Sequence, residues 1–357
     1  MKAPGAGSAY DLSREELAAL LPGEPAYRAH QVWDGLYRRA LRPSEMTDLP
    51  HALRERLDSE LPAALREAAR SVGDGGDTVK WLWDLHDGRR VETVLMSYPD
   101  RVTVCVSTQA GCAMACEFCA TGQMGFERHL TSGEIVEQVV AAIRASAPRR
   151  VSNVVFMGMG EPLANYERTW AAVERIHGDL GISARRLTLS TVGLVPGIRR
   201  LAAESLPVNL AVSLHAANDT LRDRLVPMNR RYPLSELAAA CADYVEASGR
   251  RLSVEWALID STNDRPSDMD ELARFVRPLG AHVNLIPLNP TPGFPVRGSS
   301  AQRVAAACAQ LERLGVNVTV RATRGTEIDA ACGQLASRSP GSPRTSRSPV
   351  VATPVVR

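Results

Sequence analysis

Short runs of β-branched residues alternate with longer amphipathic stretches from about residue 102 onward. These runs occupy residues 102–107, 151–157, 187–191, 208–213, 252–259, 282–287 and 316–321. Strands separated by helices require crossover connections, and the pattern therefore predicts an α/β protein with a parallel sheet. This many units fit a full or partial (β/α) barrel better than a short open sheet. Ligands of such folds bind beyond the carboxyl ends of the strands.

The chain ahead of this region has a helical pattern over residues 11–70. Ser13 and Glu16 form a capping box at the first helix, and we expect a helical accessory domain over residues 1–75. Aromatic side chains are interleaved with basic ones over residues 27–41. This mixture suits contacts with a structured RNA, but an amphipathic packing helix explains it as well.

Two alternating segments, residues 79–85 and 90–96, predict a β-hairpin extension over residues 76–98. The barrel core then spans residues 99–335. Residues 336–357 contain four prolines, four arginines and no acidic residue. This composition gives no apolar periodicity, and it predicts a disordered tail.

Composition places the chain among ordinary proteins with a large buried core. It has 357 residues, of which 45% are hydrophobic and 23% charged. We find no apolar run of membrane-spanning length and no secretory signal pattern at the start, and we expect a cytoplasmic protein. The net charge of +2 is uninformative, because several adjacent arginine pairs either form a basic face or are scattered and solvated.

Three of the seven cysteines are packed into one short loop with the spacing C-x3-C-x2-C: Cys112, Cys116 and Cys119. Three thiolates that converge on an iron–sulfur cluster leave one coordination position open. An open iron can chelate S-adenosylmethionine (SAM) and place its sulfonium for one-electron cleavage to a 5′-deoxyadenosyl radical. The alternative is a structural zinc site completed by Cys105 or His129.

The cysteine loop and its flanks resemble the RlmN/Cfr family of radical methyltransferases, which modify one adenine of large-subunit ribosomal RNA. The resemblance covers about residues 15–335 and is most like the RlmN members. Its motifs, in the expected order, occupy residues 105–111, 120–125, 156–165, 189–193, 210–216, 284–290 and 324–334. It implies a radical SAM fold that binds a 4Fe–4S cluster at the three cysteines and uses two SAM molecules per turnover.

The family match also implies that SAM is bound by residues that follow successive strands. These residues are Gly160, Glu161, Ser190, Ser213, Leu214, His215 and Asn289. Backbone amides and a carboxylate at a strand end suit a cationic amino group, and polar side chains at one rim suit ribose and adenine. A tight turn would explain the glycine equally well, and helix caps would explain a single Ser or His.

Cys332 lies in a glycine-flanked segment far in sequence from the cluster loop, and we expect it to carry the methyl group. A thiolate takes a methyl from one SAM by displacement. The radical from a second SAM removes hydrogen from that methyl. The resulting carbon radical adds to the adenine and gives a protein–RNA adduct.

By resemblance, Cys105 resolves the adduct through a disulfide, and Glu92 accepts the proton lost from the adenine carbon. The residues alone favour the alternatives, which are a buried strand thiol for Cys105 and a solvated strand residue for Glu92. Cys241 and Cys308 lie in alanine-rich helical stretches and are interpreted as packing residues.

The expected product is an adenine methylated at C2 in 23S rRNA, with adenine 37 of tRNA as a second candidate substrate. We expect a monomer that takes electrons from a donor such as flavodoxin or ferredoxin and does not bind a membrane. The alternatives are a resistance enzyme directed to C8, a non-catalytic iron–sulfur RNA-binding factor, and a radical enzyme of another reaction type.

Overall fold

The computed structural model describes residues 8–61, 63–289, 291, 294, 296–321, 324–331 and 333–335. Its dominant feature is a ten-stranded sheet with a separate two-stranded sheet (β5–β6) beside it. In chain order the strands are β1 (Leu65–Gly73), β2 (Thr78–Leu85), β3 (Arg90–Ser97), β4 (Val102–Cys105), β5 (Gln109–Gly111), β6 (Phe126–His129), β7 (Asn153–Phe156), β8 (Leu187–Thr191), β9 (Asn209–Ser213), β10 (Ser253–Leu258), β11 (His282–Pro287) and β12 (Asn317–Val320).

The helices connect and cover these strands. They are α1 (Arg14–Ala19), α2 (Tyr27–Tyr37), α3 (His51–Glu60), α4 (Ala120–Met124), α5 (Ser132–Ser146), α6 (Tyr166–Gly178), α7 (Val195–Ala202), α8 (Asp219–Leu225), α9 (Leu234–Ser248), α10 (Pro266–Val276) and α11 (Ala301–Arg313). At least one of these helices lies between each successive pair of strands from β7 to β12. Within the described residues no helix is long and apolar enough to cross a bilayer.

Strand pairing divides the large sheet into two parts. The strands β1 to β4 pair antiparallel, whereas β4, β7, β8, β9, β10, β11 and β12 pair in parallel in that order. In the described part of the chain β12 pairs only with β11, and the barrel therefore stays open. All seven predicted strand runs contain a strand, and the predicted α/β partial barrel is confirmed.

The hairpin prediction is also confirmed, since residues 78–84 of β2 pair antiparallel with residues 90–96 of β3. The helical prediction for residues 11–70 is wrong at its end, because the last helix stops at Glu60 and Leu65–Gly73 forms strand β1. The helix-favouring sequence of β1 is overridden by its pairing with β2. The proposed domain boundaries stay a prediction, and the tail over 336–357 lies outside the described residues.

Two of the three aromatic residues of α2, Trp33 and Tyr37, lie in the core, whereas Tyr27 is exposed. Trp33 is 7% and Tyr37 2% exposed, and their rings stack at 4.6 Å, with Tyr10 edge-on to Tyr37 at 5.2 Å. The aromatic and basic residues of α2 suited either contact with RNA or packing of an amphipathic helix. For Trp33 and Tyr37 this geometry favours packing.

Gln138 joins helix α5 to the strands beneath it. Its Oε1 accepts hydrogen bonds from the Ser107 N–H and the Thr93 hydroxyl, both at 2.8 Å. Its Nε2 donates to the carbonyls of Ser107 at 3.0 Å and Glu134 at 3.2 Å. The side chain is fully buried, and it therefore satisfies both backbone groups of Ser107, just beyond β4, where water cannot.

We predict that Gln138→Leu lowers the free energy of unfolding by about 3 kcal/mol, because buried donors and acceptors lose their partners. Urea denaturation followed by circular dichroism measures this change. Gln302→Leu, at an exposed position of α11, is the matched control and should shift stability by less than about 0.5 kcal/mol. Equal effects of the two substitutions would contradict the role given to Gln138.

Candidate functional site

One cavity lies at the carboxyl ends of the parallel strands and collects most of the predicted site residues. Its wall includes Cys112, Cys116, Cys119, Gly160, Glu161, Ser190, Ser213, His215 and Asn289. These residues come from the cysteine loop and from the ends of β7, β8, β9 and β11. The structure brings these residues together, and their individual roles stay predictions.

The cysteine loop is held by backbone contacts at both ends. The Cys112 N–H donates to the Gly125 carbonyl at 2.8 Å, and the Glu117 N–H donates to the Leu225 carbonyl at 3.3 Å. Gly111 introduces the loop with φ +71°, and a Cβ there would lie 1.9 Å from the Gly125 carbonyl oxygen. Glycine at this position therefore permits the close approach that closes the loop.

The three thiols fit a cluster by their chemistry and placement. Burial raises the pKa of Cys112 to about 12 and that of Cys116 well above its ordinary value. A bound metal reverses this preference, because a coordinating thiol is deprotonated. Among the described residues no group of three His, Cys, Asp or Glu is spaced for a single metal ion. The fit to a cluster rests on three thiols that share one cavity wall.

The two residues that would complete a zinc site lie elsewhere. Cys105 is buried on β4 and lines a second cavity. The Nδ1 of His129 is 3.1 Å from the Nε2 of Gln109, to which it is hydrogen-bonded. Neither residue is on the wall that carries the three thiols.

Glu161 is the buried carboxylate of the cavity. Its Oε1 accepts from the Leu163 N–H at 3.1 Å and its Oε2 from the Val192 N–H at 2.9 Å. Burial outweighs these bonds and raises its pKa to about 7. Gly160 precedes it with φ +103°, and a Cβ there would lie 2.6 Å from the Cβ of Gln109. Glycine at position 160 therefore lets the chain beyond β7 pack directly against Gln109 of β5, the strand that leads into the cysteine loop.

The hydroxyls of Ser190 and Ser213 lie 3.4 Å apart at the ends of neighbouring strands. His215 is buried with φ +60°, and its Nδ1 accepts from the Ala257 N–H at 2.9 Å. Burial, with a smaller contribution from Arg222, lowers the pKa of His215 to about 3. The imidazole is therefore neutral at physiological pH. It carries no charge, and its hydrogen bond holds the backbone of Ala257 at the rim of the cavity.

Leu214 differs from the other predicted cofactor residues, because it does not line the cavity. Its side chain is fully buried in the core, its N–H donates to the Glu255 carbonyl at 3.1 Å and its carbonyl accepts from Arg222. The predicted contact of Leu214 with SAM therefore finds no support in this geometry.

Arg222 is a buried cation near the cavity that no sequence pattern indicated. It is fully buried beneath the cavity. Its guanidinium donates to the carbonyls of Leu214 at 3.1 Å and Val192 at 2.7 Å, and to the Asn229 side chain at 2.9 Å. Burial lowers its pKa to about 10, which leaves it charged at neutral pH. This cation ties the ends of two strands together, and only the fold could distinguish it from the other arginines.

A second cavity adjoins the first, since Met157, Ile286, Asn289 and Arg321 line both. Cys105 lines it together with Ala330, Ala331 and Leu335. Cys332 lies outside the described residues. Its neighbour Ala331 lines the second cavity and its neighbour Gly333 the first. The residues on either side of Cys332 in the sequence therefore line different cavities.

The remaining catalytic candidate, Glu92, is 1% exposed on β3, and its Oε1 pairs with the Nζ of Lys80 at 3.2 Å. The solvated alternative is therefore wrong. No disulfide joins two cysteines of the described residues. The pairing of Cys105 with Cys332 stays a prediction, because it involves a residue outside them. Cys241 is fully buried on α9, as expected of a packing residue.

Comparison with known proteins gives a consistent result. The Radical SAM superfamily model matches residues 106–276. The "Probable dual-specificity RNA methyltransferase RlmN" of Chloroflexus aurantiacus is 53% identical over 348 residues, which cover 92% of each chain. The protein of the same name from Salinispora tropica is 52% identical, again with 92% of each chain covered.

A solved structure supports the fold. The crystal structure of a radical SAM methyltransferase from Sphaerobacter thermophilus matches with a TM-score of 0.90 at 50% identity, covering 93% of this chain and 100% of that chain. Radical SAM proteins bind a 4Fe–4S cluster and SAM, and the cavity offers thiols and polar groups suited to both.

We predict that the affinity for SAM falls as the pH is lowered through about 7. Glu161 takes up a proton in this range, and a neutral carboxyl attracts the amino group of SAM less than a carboxylate does. Glu161→Gln should bind SAM roughly tenfold or more weakly at high pH and lose this pH dependence. Calorimetric titration of anaerobically reconstituted protein at several pH values measures both effects.

The exposed Glu167, which is paired with Arg200 on the surface, provides the control substitution Glu167→Gln, and this variant should behave like the unmodified protein. Wild-type affinity that stays constant across the range would contradict the role assigned to Glu161.

Proposed function

The chain belongs to the RlmN family of radical SAM RNA methyltransferases, and from this premise we propose that it methylates C2 of an adenine in 23S rRNA. We extend the proposal to adenine 37 of tRNA, because the similar proteins of Chloroflexus aurantiacus and Salinispora tropica are named as dual-specificity enzymes. The observation that carries the proposal is the pair of adjoining cavities, with the thiols of the cysteine loop in one and Cys105 in the other.

The methyl carrier in this proposal is Cys332. Its thiolate attacks the methyl carbon of one SAM, the bond from that carbon to the sulfonium sulfur breaks, and S-adenosylhomocysteine leaves. When bound, the cluster supplies the electron that cleaves a second SAM, and it can take an electron back from the adduct. Hydrogen removal from the Cys332 methyl gives a carbon radical that bonds to C2 of the adenine. The residues that flank Cys332 in the sequence support this double use, because Ala331 lines one cavity and Gly333 lines the other.

Two further residues complete the reaction. Once the adduct has lost an electron, the Glu92 carboxylate takes the proton from C2, and its burial keeps water from competing. The Cys105 thiolate then attacks the sulfur of Cys332 and forms a disulfide. The bond between that sulfur and the methylene carbon breaks, and the carbon takes a proton to become the product methyl group. An external thiol reduces the disulfide before the next turnover.

We also propose that the enzyme works as a cytoplasmic monomer and receives electrons from flavodoxin or ferredoxin. Arg222 holds the strand ends at the cavity floor in this scheme, and Glu161 receives the amino group of SAM.

The test is anaerobic reconstitution with iron and sulfide, followed by incubation with methyl-labelled SAM and an unmodified 23S rRNA fragment. Mass spectrometry of the nucleosides should find methyl at C2 of one adenine. Cys332→Ala should give no product, since no thiolate accepts the methyl. Cys105→Ala should retain RNA covalently, because the adduct cannot be resolved.

Cys308→Ala is the matched control, since Cys308 is a half-buried thiol of α11 outside both cavities. It should turn over like the unmodified enzyme. Formation of product by Cys332→Ala at the rate of the unmodified enzyme would contradict the proposed mechanism. Methyl found at C8 would replace the proposed specificity with the resistance type, and bound RNA without any SAM cleavage would indicate a non-catalytic factor.

A further inference from the structure

Lys80 of strand β2 contacts two parts of the proposed machinery at once. Its Nζ lies 3.2 Å from the Oε1 of Glu92 and donates to the carbonyl of Asp329 at 3.1 Å. The Lys80 side chain is 11% exposed and that of Glu92 1%. A lysine ammonium has three donor hydrogens, and a single Lys80 can therefore bridge a carboxylate and a carbonyl.

The strand register explains why these groups meet. Lys80 is opposite Val94, and Leu82 is opposite Glu92, in the antiparallel pair β2–β3. Because side chains alternate along a strand, Glu92 shares a face of β3 with Val94 and Met96. Val94 and Met96 line the cavity that contains Cys105. Glu92 and Lys80 therefore lie on the same face of the sheet as Cys105 and its neighbours in that cavity.

Asp329, the second partner of Lys80, lies three residues before the proposed methyl carrier Cys332 in the sequence. Hydrogen bonds also hold the segment after Val320 on both sides of Asp329. The Asp74 N–H donates to Glu327 at 2.6 Å and the Gly325 N–H to Asp74 at 2.9 Å. On the far side, the Ala120 N–H donates to the Gly333 carbonyl at 2.8 Å.

Of the residues that contact this segment, Lys80 differs from Asp74 and Ala120 because it also contacts the proposed base. The bonds of Asp74 and Ala120 fix the ends of the segment, and neither of them involves Glu92. Lys80 contacts both the proposed base and the segment that leads to Cys332. A buried carboxylate needs a charge partner and a fixed orientation if it is to meet a proton on a substrate carbon.

We propose that Lys80 is a positioning residue that holds the Glu92 carboxylate and the Asp329 carbonyl in one arrangement, so that the base faces the adduct formed on Cys332. This inference rests on the proposed function and deepens it. Lys80 acts after the adduct has formed, and the loading of Cys332 with methyl does not depend on it.

The test compares Lys80→Met and Lys80→Arg in the full-length reconstituted enzyme. Intact-protein mass spectrometry measures methyl loading of Cys332, and gel electrophoresis measures the covalent protein–RNA adduct. We expect Lys80→Met to load Cys332 within about twofold of the unmodified enzyme and to accumulate adduct, because its breakdown is at least tenfold slower. Lys80→Arg keeps a cation and several donors, and it should recover part of the rate.

An isotope effect separates this role from a merely structural one. With RNA deuterated at C2 of the target adenine, adduct breakdown in Lys80→Met should slow further, because proton transfer limits the rate. Arg66→Met is the matched control, since Arg66 is an exposed cation of β1 paired with Asp84 in the same antiparallel region. It should leave loading, breakdown and the isotope effect unchanged. If Lys80→Met does not fold, Lys80→Gln serves in its place.

Loss of Cys332 loading in the Lys80 variants would overturn the inference. Lys80 would then act by holding the segment that leads to Cys332 and not by positioning Glu92. Adduct breakdown at the unmodified rate, or without the larger isotope effect, would overturn it as well. The proposed function fails separately: if Glu92→Gln causes no adduct to accumulate, Glu92 is not the base. If Glu92→Gln traps the adduct and Lys80→Met does not, only the role of Lys80 is wrong.

Discussion

The parallel register of β4 and β7 to β12 is the constraint on which the rest of the structure depends. Parallel strands all end at the same edge of the sheet, and residues far apart in sequence meet there. The cysteine loop, Glu161, Ser190, Ser213 and Asn289 share one cavity for this reason. The antiparallel strands β1 to β3 extend the same sheet, and they bring Glu92 and Lys80 beside Cys105. The chemistry is therefore distributed along one continuous sheet rather than confined to a single loop.

Burial gives this edge its electrostatic character. Burial raises the pKa values of Cys112, Cys116 and Glu161, and their uncharged forms are favoured before any ligand binds. Arg222, the buried cation beneath them, is held by backbone carbonyls of the strand ends and by Asn229. Loading with metal and SAM should therefore release protons, because the metal favours the thiolates and the amino group of SAM favours the carboxylate of Glu161.

The sequence predicts most of the barrel because alternation of strands and helices is a local signal, and every predicted strand run was confirmed. Strand β1 was missed, since its alanine, glutamate and arginine residues favour a helix until β2 pairs with them. Motif resemblance located the residues that share the first cavity, whereas Leu214, whose backbone groups are bonded within the fold, is not on its wall, and its contact with SAM stays a prediction. Arg222 and Lys80 have no motif of their own. Their importance arises from contacts between distant segments, which no local pattern encodes.

In the proposed mechanism, the methyl group reaches RNA through hydrogen removal from the methyl on Cys332. SAM with a fully deuterated methyl group tests this directly. Our account predicts that the methyl of the product adenine retains two of the three deuterium atoms, while the third appears in 5′-deoxyadenosine. The transferred carbon must lose one deuterium as a radical and gain one hydrogen on release from the adduct. A product methyl group that keeps all three deuterium atoms would contradict the account, since it would show direct transfer from SAM to the adenine.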